Sequence, residues 1–314
     1  MRFSRVVGPR RSEVVTAQDP VPADHQVLVE VLACGVCTSD IGPWRTHDPA
    51  AEPVRLGHEM VGRVAATGRH AGQWRPGDLV TGLGGDGFAT MALMDANAVL
   101  PVPPGVEPAL AIGEPVADLE EALSRTGIRP GDKVAVVGLG FMGLGLVQLA
   151  RRHAPGLLIG VDPDPARRER ALALGCDLAF APDDVPVEFR SDSGRATEAR
   201  PSIVLEATGV TPGLRTAGSM VRPFGTLCVV GYHHTGDAMM DMDLWYKAVT
   251  VVNGFCPDRT RLVAAMRDAL GLIAERRFSY APLITHRFGL DQVDEAFGAM
   301  EEAGPGFVKG VVLL

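Results

Sequence analysis

The segment Lys133-Val134-Ala135-Val136-Val137 runs directly into Gly138-Leu139-Gly140-Phe141-Met142-Gly143, and this join of an apolar strand to a Gly-x-Gly-x-x-Gly turn restricts the fold more than any other feature. Helical spacing follows from Leu144 to His153, and a second apolar run, Leu157 to Val161, then ends at Asp162. Strand, glycine turn, helix, strand and acid in this order predict a βαβ unit with parallel strands. In such a unit the first glycine permits the tight turn, the second lets a pyrophosphate approach the backbone, and the third allows close helix packing. Gly138, Gly140 and Gly143, with Phe141 and Met142 between them, are therefore candidate dinucleotide contacts, and Asp162 is a candidate partner for a ribose 2′-hydroxyl. A carboxylate there repels a 2′-phosphate and favours NAD over NADP, while nearby Arg167 and Arg168 weigh the other way.

Further along, Ser202 to Glu206 and Thr226 to Val230 read as parallel-sheet strands, each closed by a glycine, Gly209 or Gly231. This alternation of β and α implies a doubly wound sheet, with the polar stretch 183–200 as a surface loop. The first hundred residues read differently. Val27 to Ala33 is rich in β-branched residues and leads into Cys34-Gly35-Val36-Cys37, and 62–66 and 78–80 read as further short strands punctuated by Gly and Pro. That part is expected to be all-β and barrel-like. With 314 residues, the chain exceeds the ~150-residue expectation for one domain, so two are predicted.

The β-rich part carries the other chemical signal, Cys37-Thr38-Ser39-Asp40 followed by Gly57-His58-Glu59. Zinc accepts thiolate sulfur, imidazole nitrogen and carboxylate oxygen, and catalytic sites keep three protein ligands and an open position. Cys37 and His58 are too far apart for one helix face, so they can converge only through a sheet.

Net charge and cysteine usage narrow the class. A formal charge of -8 with no Lys/Arg stripe argues against nucleic acid as a partner. Five cysteines without regular spacing make no disulfide framework and suit a reducing compartment, so the cytoplasm is the expected location. The N-terminus lacks the apolar core of a leader and no 18-residue apolar run occurs, so no membrane association is expected.

Taken together, the Cys37 segment, Gly57-His58-Glu59, Gly77-Asp78, Glu114-Pro115, Gly138 to Gly143, Asp162, Glu206-Ala207-Thr208-Gly209 and the terminal Lys309 segment stand in the order found in the zinc-dependent medium-chain dehydrogenases/reductases. The chain resembles that family, closest in style to its sorbitol- and threonine-dehydrogenase-like branches. The resemblance implies an α/β protein. A GroES-like β-rich catalytic domain (1–116 and 256–314) would be interrupted by a Rossmann doubly wound parallel-sheet domain (117–255), with the active site in the cleft between them. It implies Cys37 and His58 as zinc ligands, Glu114 as the third, and Glu59 as an exchangeable ligand or close neighbour. It further implies that Asp40 orients His58 and that Ser39 takes the proton of an alcohol whose hydride passes to NAD. Backbone near Thr208, Gly231 and Asn253 would position the nicotinamide, and Lys309 would meet the pyrophosphate. Relatives pair a strand like 248–252 across a dimer axis, so a homodimer or homotetramer is implied.

Three departures from the family pattern shape the expectation. No four-cysteine lobe occurs between Leu79 and Met91, so one catalytic zinc and no structural zinc are expected. Gly42 stands where many relatives place a histidine that passes the proton to solvent, leaving Ser39, the cofactor ribose and water as the route. Asp118, Glu120 and Glu121 follow Glu114-Pro115 and read either as a solvated helix start or as an acidic pocket.

With Gly82 to Gly87 in place of bulky lining, a polyhydroxylated alcohol is the expected substrate: a sugar alcohol, cyclitol, aldonate or aminocyclitol. Trp44, Asp118 and His233 are candidate substrate contacts, with Arg45, His47, His234 and Trp245 as further ones. A zinc-free NADPH-dependent quinone reductase and a catalytically silent relative are the alternatives. Both would discard the metal ligands, whose joint retention counts against them.

Overall fold

The structure is a computed structural model that describes residues 1–190, 198–233, 240–304 and 306–314. The chain opens with strands β1 (Arg2–Gly8), β2 (Arg11–Thr16) and β3 (Gln26–Gly35), then helix α1 (Ile41–Thr46), β4 (Glu59–Thr67), β5 (Leu79–Gly84) and β6 (Met91–Pro101). Helix α2 (Gly113–Ser124) precedes β7 (Lys133–Val137), α3 (Phe141–Arg151), β8 (Leu157–Val161), α4 (Pro165–Ala173), β9 (Leu178–Phe180) and β10 (Ile203–Glu206). There follow α5 (Thr211–Met220), β11 (Thr226–Val229), α6 (Asp243–Tyr246), β12 (Thr250–Asn253), α7 (Arg259–Ala274), β13 (Ile284–Gly289), α8 (Val293–Glu302) and β14 (Lys309–Leu313). Two compact units result, Met1–Ala117 with Asp258–Leu314, and Asp118–Pro257.

In the first unit one six-stranded sheet runs β13-β14-β3-β4-β5-β6, and an extra pairing of β3 with β6 closes the last four strands on themselves. Alternation along β3 sends Val27, Val29 and Val31 inward, where they meet Met60, Val64, Val80, Met94 and Val99 in one buried cluster. Each such side chain contributes roughly 1.5–3 kcal/mol on burial. The register of β3 against β4 sets the site: Gly35 pairs with Glu59 and Cys34 with Met60. Cys37 lies just past the end of β3 and His58 just before the start of β4, so antiparallel pairing delivers both to the same rim.

The second unit is a parallel sheet in the order β12-β11-β10-β7-β8-β9. Val134 to Val137 and Ile203 to Glu206 are buried at every position, as strands covered on both faces require. Val137 is level with Val161 and with Glu206, and Glu206 with Val229, so the carboxyl ends of four strands open at one height. Helix α3 begins at Phe141 rather than Leu144, because Gly140 already serves as its N-cap. Of the expected loop 183–200, residues 191–197 lie outside the described residues. Among the described residues no helix is long and apolar enough to cross a membrane.

Candidate metal and dinucleotide sites

The rim of the β3–β4 pair gathers unlike donors. A ligand atom each from Cys37, His58 and Glu59 all lie within 4.8 Å of one another. The backbone turns back at once after Cys37, with Asp40 N donating to Cys37 O at 3.1 Å, and this brings two further side chains to the cluster. Ser39 Oγ donates to Cys37 Sγ at 3.3 Å, and Asp40 Oδ1 stands 3.4 Å from His58 Nδ1. From the first turn of α2, Glu114 Oε1 stands 3.9 Å from His58 Nε2.

Electrostatics and packing both fit this set to a divalent ion. Burial opposes charge on His58, but hydrogen bonds to Asp40 and Cys37 and the charges of Glu114 and Asp40 outweigh it, and its pKa is pushed up to about 12. Asp40 Oδ2 and Glu59 Oε2 are buried and have no hydrogen-bond partner among the described residues. A cation is the group such oxygens lack. Space for the Glu59 carboxylate exists only because residue 35 is glycine: a Cβ there would lie 1.8 Å from Glu59 Oε2.

Lys309 stands elsewhere than expected. Its Nζ donates to Glu59 Oε1 at 2.6 Å with both side chains buried, so the ammonium is committed to the donor set of the first unit and is withdrawn as a pyrophosphate contact. Sheet order is the reason, since β14 lies beside β3 and β3 beside β4.

In the second unit the glycine turn fits the backbone of a dinucleotide site. Gly138 has φ +90°, a Cβ on Gly143 would lie 1.8 Å from Gly138 O, and a Cβ on Gly140 would meet nothing within 4 Å. Gly138 is needed for the turn and Gly143 for helix packing; Gly140 leaves open space over the N-terminus of α3, which suits an approaching phosphate. Asp162 is buried at the end of β8, with Oδ2 accepting from Leu139 N at 2.8 Å and Oδ1 from Asp164 N at 2.9 Å. Its position is thus fixed by the glycine turn itself. Arg167 approaches the same carboxylate at 3.9 Å and Asp164 at 3.6 Å. Thr208 and Gly231 follow β10 and β11 at the same end of the sheet.

The expected substrate contacts fare unequally. Trp44 is corrected: it is 3% exposed, donates from Nε1 to Asp294 Oδ1 at 2.8 Å and packs at a tilt against Phe297 with ring centroids 5.3 Å apart, so it belongs to the core of the first unit. Arg45 is paired with Glu301, His47 is buried, and Trp245 is exposed on α6. Glu120 and Glu121 form neither a solvated helix start nor an acidic pocket. They lie buried in the middle of α2, paired with Arg152 and Arg125 respectively. Asp118 is half-buried on the same helix.

His233, also expected at the substrate, instead sets Nε2 3.1 Å from Oε2 of the fully buried Glu206, and His234 lies outside the described residues. The Glu206 partnership was not foreseen. A charged residue closing the otherwise apolar run Ile203-Val204-Leu205 was its only signal. Likewise a glycine inside the strand leading to Cys37 signalled the close approach made at Gly35.

The chain is similar to known proteins. Residues 23–104 match the alcohol dehydrogenase GroES-like domain and residues 142–275 the zinc-binding dehydrogenase family. A sorbitol dehydrogenase of Halalkalibacterium halodurans is 28% identical, with 90% of each chain covered. A probable zinc-binding alcohol dehydrogenase of Mycobacterium tuberculosis is 30% identical, over 74% of this chain and 68% of its own. Among solved structures, the alcohol dehydrogenase TADH from Thermus sp. ATN1 superposes with a TM-score of 0.85 at 24% identity, over 100% of this chain and 99% of that one.

Proposed function

This chain belongs to the zinc-dependent medium-chain alcohol and polyol dehydrogenases, oxidoreductases of CH–OH donors, and on that premise we propose that it interconverts a secondary alcohol of a polyol, sugar or (amino)cyclitol with its ketone, using one catalytic zinc and NAD. The observation that carries this reading is the convergence of Cys37, His58 and Glu59 within 4.8 Å, in a chain that also holds a glycine turn braced by Asp162. Likeness to a sorbitol dehydrogenase supports the polyol class.

When bound, zinc supplies a Lewis acid for the alcohol oxygen and NAD the acceptor for its hydride. Cys37, His58 and Glu114 are assigned as resting ligands, with Glu59, whose Oε1 is tied to Lys309, as the exchangeable one. Asp40 keeps the proton of His58 on Nδ1, which leaves the Nε2 lone pair for the metal. Ser39, exposed and bonded to Cys37, is the group that receives the alcohol's proton and passes it to water, because Gly42 offers no side chain for a relay. Asp162, with Arg167 beside its carboxylate, would hold the adenosine ribose, and the turns at Thr208 and Gly231 would take the nicotinamide half.

Asp118 is retained as the candidate substrate contact; Trp44 is not. The cytoplasm is assigned because five cysteines without regular spacing make no disulfide framework. A homodimer or homotetramer is assigned through β12, an edge strand with Val251 38% exposed. Light scattering that shows a strict monomer would refute it.

The deciding experiment combines metal analysis with an NAD-reduction screen of polyols, cyclitols and amino sugars, repeated with Asp118→Asn. About one zinc per chain and reduction of NAD in preference to NADP are expected; less than ~0.3 zinc after metal-replete expression sinks the zinc mechanism. Unchanged activity of Asp118→Asn on every substrate removes Asp118 from the site.

A further inference from the structure

Glu206 and His233 form a buried dyad in the second unit that no part of the proposed reaction uses. The Glu206 carboxylate, fully buried at the end of β10, accepts on Oε1 from Thr208 N at 2.7 Å, from Gly209 N at 3.1 Å and from the Thr208 hydroxyl. Its Oε2 faces His233 Nε2 at 3.1 Å. A carboxylate only accepts, so Nε2 carries the proton, and in the neutral ring Nδ1 is then an acceptor. That Nδ1 is buried without a hydrogen-bond partner among the described residues, on a side chain only 8% exposed.

The dyad stands where three turns interlock at the carboxyl ends of β7, β10 and β11. A Cβ on Gly138 would meet Thr208 Cγ2 at 2.7 Å and Ala207 C at 2.8 Å, and a Cβ on Gly231 would meet Gly209 N at 2.3 Å. Glu206 O also accepts from Val230 N at 2.8 Å and Gly231 N at 3.0 Å. This end of a doubly wound sheet is the one that receives a dinucleotide. Glu206 therefore braces the turn beside the glycine loop and at the same time sets the tautomer and the orientation of His233.

We propose that His233 is a positioning residue for the cofactor, its Nδ1 accepting a hydrogen bond from the nicotinamide nucleoside half of the bound dinucleotide. The donor is either a ribose hydroxyl or the carboxamide N–H, groups that share the required chemistry. The inference rests on the dinucleotide reading above. It adds a side chain that discriminates the redox-active half of the cofactor from its adenosine half.

The test is equilibrium binding of NADH, ADP-ribose and ADP to the zinc-loaded protein, followed by fluorescence and displacement. His233→Phe is expected to weaken NADH roughly tenfold, the effect of one lost hydrogen bond, and to leave ADP unchanged. His233→Gln, which keeps a donor for Glu206 and a carbonyl acceptor, is expected to recover most of the loss. Equal weakening of ADP-ribose assigns the donor to the ribose, and an unchanged ADP-ribose assigns it to the carboxamide. Unchanged NADH binding by His233→Phe, or an ADP loss as large as the NADH loss, overturns the proposal. Should that variant not fold, nitrogen NMR of the wild-type imidazole decides: Nδ1 must respond to NADH and not to ADP. Wild-type protein that binds ADP but neither NADH nor NADPH sinks the dehydrogenase reading itself, and a preference for NADPH moves the same series to that cofactor.

Discussion

Lys309 Nζ lies 2.6 Å from Glu59 Oε1 with the two side chains 5% and 1% exposed, a buried ion pair that joins the start of β14 to the start of β4 beside the donor cluster. Removing one partner of such a pair strands the other charge and costs about 3–5 kcal/mol. Lys309→Met is therefore expected to destabilise the metal-free protein by about 3 kcal/mol in denaturant unfolding. The double variant with Glu59→Gln is expected to lose at least ~1 kcal/mol less than the sum of the single losses. Strict additivity would show that the pair is not coupled.

Gly35 and Gly42 make a matched comparison. A Cβ on Gly35 would lie 1.8 Å from Glu59 Oε2, whereas one on Gly42 would meet nothing within 4 Å. Gly35→Ala is expected to displace the Glu59 carboxylate and lower the zinc content of purified protein at least severalfold. Gly42→Ala, in α1, is expected to keep full zinc and gain about 0.5–1 kcal/mol. Equal zinc in the two variants would separate Glu59 from the metal site.

Thiol reactivity follows burial. Desolvation pushes the pKa of Cys176 and of Cys228 up to about 12, and burial raises Cys34 as well. A raised pKa keeps the thiol protonated, so at pH 8 only ~10⁻⁴ of Cys176 or Cys228 is thiolate. Iodoacetamide on the native, metal-free protein is expected to label Cys37, the half-buried cysteine, first, and zinc is expected to protect it. Mass spectrometry that finds Cys176 or Cys228 modified ahead of Cys37 contradicts the assignment.

Lys247 supplies a pH signature. Its Nζ is buried, donates to Gly218 O at 2.5 Å and pairs with Asp243 at 2.7 Å; desolvation nevertheless outweighs Asp243 and lowers its pKa from 10.5. A depressed folded value means the native state binds that proton more weakly than the unfolded chain. Stability is therefore gained as pH rises from the folded value towards 10.5 and is lost as pH falls back through it. Thermal unfolding of wild type and Lys247→Met is expected to show the wild type gaining relative stability as pH rises towards 10.5. A pH-independent difference would mean that Lys247 is not desolvated.

Local pattern made most of the architecture legible. The run Lys133 to Val137, its glycine turn and the next strand form a βαβ unit from neighbouring residues alone, and the alternating β-branched residues of β3 find the core they imply. The convergence of Cys37 and His58 was legible as well, because they flank strands that pair. Side-chain direction was not. Trp44 looked like lining for a site and instead completes a core with Phe297, because α1 turns that face towards α8. Glu120 and Glu121 read from sequence as a solvated helix start or an acidic pocket, yet each finds an arginine on its own unit once the helix is placed.

The residue order alone determined that this chain folds a glycine-turn βαβ unit and carries thiolate, imidazole and carboxylate donors at the ends of paired strands, since the first depends on short-range geometry and the second on residue chemistry. Tertiary structure decided which charge answers which. Glu59 and Lys309 meet because β14 lies beside β3 and β3 beside β4, and Glu206 holds His233 because two turns interlock at the ends of parallel strands. A buried charge must find a partner within reach, and reach is set by strand order and register.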